Sequence, residues 1–187
     1  VEVFFKECYL DDLAQRMEDE TIDLAIMPKR ERQPQFKTLP FYSEPLYFLP
    51  SEQQAGYVEN SDYSPIQLSE IADETIIVTA GGCGLRDTLN DLFTAQGLAM
   101  HEYSGHAVSY KVIEDWAGLG IGAGILPESR ISSENEKKQP LMLDRTQKAI
   151  IEYEISFPRN IKPASHISEF SHYLNEVVPQ LLQGRAA

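Results

Sequence analysis

A chain of 187 residues, 42% of them hydrophobic, is long enough for one large or two small α/β domains with a sizeable core. Its formal net charge of −13 repels phosphate backbones and anionic membrane surfaces, so this stretch of polypeptide is not expected to grip nucleic acid or membrane itself. Two cysteines, Cys8 and Cys83, are too few for a disulfide framework and lack metal-ligand spacing, which points to a reducing cytoplasm and to no metal or cofactor.

In chain order, Val1 to Cys8 reads as a strand, with alternation at Val1, Val3 and Phe5. The absence of an initial Met, with an apolar strand at once, reads as a piece of something longer; no apolar run reaches bilayer length and no signal peptide is recognisable. Tyr9 to Glu20 follows as a helix with Leu10, Leu13, Ala14 and Met17 on one face and Asp11 and Asp12 in the first turn, where the helix dipole favours them. Ile22 to Ile26 is a short buried strand ended by Pro28. The three elements together predict a β-α-β unit with parallel strands. Lys29 to Gln35 is a charged loop holding Arg30 and Arg32. Phe36 to Pro50 is extended, since Pro40, Pro45 and Pro50 keep it from being helical. Gln53 to Pro65 is a polar surface excursion, and Ile66 to Ala72 a short helix.

The run from Thr75 to Leu92 is the most informative stretch. A β-branched strand, Thr75 to Thr79, empties into Ala80, Gly81, Gly82, Cys83 and Gly84, and these open a helix with Leu85, Leu89, Leu92 and Phe93 on its apolar face. Glycines let backbone approach a ligand, and the first N–H groups of a helix favour an anion. Arg86, in the first turn, offers a charged fork for a carboxylate or sulfate. Ala99 to Tyr103 is a further strand. It leads through His106 to a helix over Ser109 to Ala117 that turns Val112, Ile113 and Trp116 inward, with Ser109 as its N-cap. The glycine-dense stretch Gly118 to Gly124 is a tight turn into a buried strand ending at Leu126 and Pro127. Ser132 to Pro140 is a solvated loop, and Leu141 to Pro158 is strand material with alternation at Ile151, Tyr153 and Ile155. An amphipathic helix through Ile167, Phe170, Leu174, Val177, Val178 and Leu181 ends the chain. Strands alternating with helices predict an α/β fold with largely parallel sheets.

The order and spacing of Glu20–Ile26, Phe41–Phe48, Thr75–Val78 with its glycine loop, and Glu114–Ile121 with Leu126 and Pro127 resemble the effector-binding domain of LysR-type transcriptional regulators. The resemblance covers roughly 150 residues. It implies a type 2 periplasmic-binding-protein-like fold: two Rossmann-like α/β subdomains joined by two crossover strands, residues 1–43 with 149–187 forming subdomain I and 44–148 subdomain II. It also implies a small, anionic effector in the cleft between subdomains, a homodimer or homotetramer, and DNA contact only through a helix-turn-helix domain that these residues do not include. The family's domain opens with one more strand and helix before the position of Val1. Two further departures are the extra residues Gly122 to Gly124 and the private sequence of Ser51 to Pro65.

The expected ligand-binding residues are Ala80, Gly81, Gly82, Cys83, Gly84, Arg86, His106 and Ser109, joined by Tyr42 at the first crossover and Met27 at a strand's carboxyl end. Each has a duller alternative: a plain strand-to-helix connection for the glycine loop, a simple cap for Ser109, core packing for Phe41 and Tyr42. No catalytic residue is assigned. Three other readings stay open. Cys83-Gly84-Leu85-Arg86-Asp87 echoes a LysR branch that senses peroxide through a cysteine, although no second cysteine lies downstream of Cys83. An enzyme of this fold has only Cys83 with His106 to offer. A free-standing solute-binding protein is the third.

Overall fold

The computed structural model describes residues 2–30, 35–51, 64–80, 84–159 and 165–183. The chain divides into two compact units, residues 1–43 with 152–187 and residues 44–151. Two long strands carry the backbone from one unit to the other: β2 (Phe36–Leu49) and β8 (Ile150–Pro158). Prolines 40 and 45 are compatible with β2 because a strand tolerates them where no ladder donor is required.

The first unit is built from α1 (Leu10–Glu18), β1 (Ala25–Pro28), parts of β2 and β8, and α4 (Ser165–Gln183). Leu13 and Met17 lie one turn apart on α1 and are buried. They pack with Ala25, Met27 and Phe36, and Cys8, Leu10, Ala14 and Ile22 close the rim of the cluster. Two expectations fail here. Residues 2–9 form neither strand nor helix, and Phe4 and Phe5 stand 75% and 83% exposed. Alternating apolar residues favour a strand only when a neighbour supplies hydrogen bonds and a surface to pack on. The predicted parallel β-α-β unit is therefore absent: β1 pairs instead with β8, antiparallel, with Met27 opposite Glu154 and Ala25 opposite Ser156.

In the second unit, β2 runs antiparallel to β6 (Gly124–Pro127) and β7 (Gln139–Met142), and β3 (Ile66–Gln67) lies parallel to β7. The predicted helix at Ile66 to Ala72 is thus a two-residue strand followed by a single 3-10 turn, Leu68–Ile71. A second, parallel layer joins β4 (Thr75–Ile76) to β5 (His101–Glu102), and Ile76 bridges Ala123 on the other side. Sheets in this protein are therefore mixed rather than largely parallel, because most pairings involve the crossover strands.

Against these strands pack α2 (Leu85–Ala95), with Leu85, Leu89 and Phe93 buried, and α3 (Tyr110–Gly118), with Ile113, Glu114 and Ala117 buried. Each of the buried Leu, Ile and Phe side chains stabilises the fold by about 1.5–3 kcal/mol. The glycine-dense turn after α3 builds the sheet: a Cβ on Gly122 would lie 2.8 Å from the Thr75 carbonyl oxygen. Close passage there lets Ala123 exchange hydrogen bonds with Thr75 and Ile77, both of 2.8 Å. Gly122 to Gly124, an insertion by sequence, thus lays a strand edge against β4.

Residues 132–138, expected to be merely solvated, are tied to α3. The buried carboxylate of Glu114 accepts a 2.7 Å bond from the Ser132 hydroxyl and a 2.9 Å bond from the Asn135 amide. Burial pushes that carboxyl up, but these donors outweigh it and hold it below its ordinary value.

Candidate functional site

The second unit brings the carboxyl ends of two parallel strands together. Beyond β4 and β5 the chains stay side by side: the Tyr103 N–H donates to the Ile76 carbonyl (2.9 Å), that of Ala107 to Val78 (3.0 Å) and that of Ala80 to Ala107 (3.3 Å). Thr79 and Ala107 form a parallel bridge. Just past this pair of ends each chain turns into a helix, α2 after Gly84 and α3 after Ser109. Two helix N-termini following adjacent parallel strands are the arrangement in which open α/β sheets hold ligands.

The two helix starts are built differently. Gly84 caps α2 in the left-handed region (φ 76°), where a Cβ would be strained; its carbonyl accepts from both the N–H and the hydroxyl of Thr88, each at 3.0 Å. No side chain caps α2 from that position. Ser109 caps α3 from an extended conformation, its hydroxyl accepting the Val112 N–H at 3.4 Å. The capping role of Ser109 is therefore met within its own helix. Ala80 and His106 are exposed at the strand ends, and beside them Val108 is 90% exposed. Gly81, Gly82 and Cys83 lie outside the described residues, as does Arg32.

Arg86, expected as a fork for an anion, is paired within the protein. Its Nε donates to Glu102 Oε1 at 3.0 Å and its Nη2 to Oε2 at 2.7 Å, a bidentate bond from α2 to β5. The guanidinium holds the Glu102 carboxyl below its ordinary value against partial burial, with help from the Asn90 side chain and the nearby His106. Arg86 is raised in turn, first by the hydrogen bond to Glu102. Sequence reasoning did not anticipate Glu102. Arg86 and Asn90 stand one turn apart on the same face of α2, a local hint of a shared acceptor, but which strand residue meets them is a matter of register.

Two of the expected residues, Met27 and Tyr42, belong to the first unit. Met27 is 3% exposed within the apolar cluster of α1 and β1. Tyr42 is half-buried, stacked on Tyr153 at 4.5 Å and edge-on to Phe41 at 5.1 Å. That unit also holds an open groove of about 910 Å3, lined by Val3, Phe5, Ile26, Phe170 and Leu174 among others. It runs beside β1, an edge strand. Among the described residues no cluster of three or more His, Cys, Asp or Glu could hold a metal, and no helix is long and apolar enough to cross a membrane.

Two layers of comparison agree with this architecture. Residues 1–179 match the family described as the LysR substrate binding domain, and the chain belongs to that family. No curated protein matches it by sequence. Among solved structures, an OxyR mutant from Corynebacterium glutamicum is similar with a TM-score of 0.77 at 17% identity, over 96% of this chain and 55% of that one. This chain thus spans about half the length of that relative. The Synechocystis PCC6803 CcmR regulatory domain in complex with 2-PG is similar with a TM-score of 0.72 at 19% identity, over 94% of this chain and 83% of that one. The effector-binding domain of QuiR in complex with shikimate has a TM-score of 0.71 at 19% identity, over 90% of this chain and 78% of that one. The likeness establishes a shared mixed α/β fold of the periplasmic-binding-protein kind. Two of these neighbours are described as a regulatory domain and as an effector-binding domain.

Proposed function

We propose that this chain is the effector-sensing domain of a LysR-type transcriptional regulator, in which a small anion alters the DNA binding of the full-length protein. The observation that carries the reading is the family match over residues 1–179 on a unit whose adjacent parallel strands both end at a helix start. The 2-PG and shikimate bound by CcmR and QuiR support an oxyanion or carboxylate as the ligand class. The ligand meets Ala80, Gly84 and the following amides of α2, together with Gly81, Gly82 and Cys83, while His106 and Ser109 bound it from the turn that precedes α3. Arg86 acts through its bond to Glu102, which orients the first turn of α2. Tyr42 and Met27 are the two candidate contacts contributed by the first unit, Tyr42 from its half-buried ring and Met27 from the end of β1. The domain works in the cytoplasm as a homodimer or homotetramer, touches DNA only through a separate helix-turn-helix domain, and performs no covalent chemistry. The effector acts through its differential affinity for two arrangements of the domain.

A thermal-shift screen against 2-phosphoglycolate, shikimate, small dicarboxylates, amino acids, sulfate and peroxide tests this. A ligand at a hundred times its dissociation constant adds about 2.7 kcal/mol of stability. Ala80→Glu, which sets a carboxylate at the exposed end of the strand that leads toward α2, should abolish the response while leaving the unliganded melting point in place. A response that survives Ala80→Glu would put the anion elsewhere. A response to peroxide alone, lost in Cys83→Ser, would replace anion sensing by redox sensing.

A further inference from the structure

We draw no further inference here: the strongest candidate, the open apolar groove of the first unit between residues 2–9 and the outer edge of β1, carries none because nothing in the structure shows what covers it.

Discussion

The Arg86–Glu102 pair decides whether the guanidinium is available to a ligand, and a double-mutant cycle measures it. Two charge-assisted bonds of 3.0 and 2.7 Å join side chains that are 38% and 23% exposed. Exposed ion pairs contribute about 0.2–1 kcal/mol. The bidentate geometry and the partial burial of Glu102 place this pair at the top of that range, about 1 kcal/mol after discounting for solvent screening. For a chain of this size that is a melting shift of about 2–4 °C. The assay is urea unfolding of wild type, Arg86→Gln, Glu102→Gln and the double variant. Trp116, the single tryptophan, reports on the same unit from α3. The folded-state carboxyl of Glu102 is lowered, so its contribution is complete above the ordinary carboxyl value and is lost as pH falls through the depressed one. The coupling should therefore be present at neutral pH and vanish in acid. If the two single substitutions are additive at neutral pH, the pair does not hold in solution. Arg86 would then be free to meet an anion.

Three other outcomes follow from particular contacts. Gly122→Ala places a Cβ 2.8 Å from the Thr75 carbonyl, so it should destabilise by about 1–3 kcal/mol in a thermal melt; an unchanged melting point would mean that the β4 layer gives way freely. Burial raises the Glu154 carboxyl above its ordinary value, outweighing the Thr38 bond and the Lys29 charge. Its favourable contribution is complete below the unfolded value and lost as pH rises through the folded one. The stability of wild type relative to Glu154→Gln should accordingly fall with rising pH, and a difference that does not change with pH would refute this. Finally, a chain extended before Val1 by the strand and helix that the resemblance implies should protect the amides of Ala25, Ile26 and Met27 in hydrogen exchange and reduce binding of an apolar dye. Unchanged exchange and dye binding would show that the groove beside β1 is not that strand's seat.

Much of the local structure was legible residue by residue. The spacing of Leu13 and Met17 and of Leu85, Leu89 and Phe93 marks helix faces, because side chains three or four apart share one side of a helix whatever lies opposite; in α3, where Val112, Ile113 and Trp116 were expected inward, Ile113 and Ala117 are buried and Val112 and Trp116 half-buried. Ser109 three residues before Val112 announces its own cap for the same reason. Family membership was legible too, since it rests on motif order along the chain. Pairing was not. Val1 to Phe5 carries a strand pattern and the described residues 2–5 form none, while β1 runs antiparallel to a strand that lies about 125 positions further along the chain. Glu102 claims Arg86 across 16 residues, a distance no local pattern encodes. By itself the sequence determined where α1, α2, α3 and α4 lie, because those preferences are settled within a turn or two of backbone, whereas the short helix expected at Ile66 to Ala72 became a strand and a 3-10 turn. Tertiary structure alone decided strand direction, which buried carboxylates find donors and which cation keeps its partner, because those depend on groups far apart in the chain that meet only once the sheets have formed.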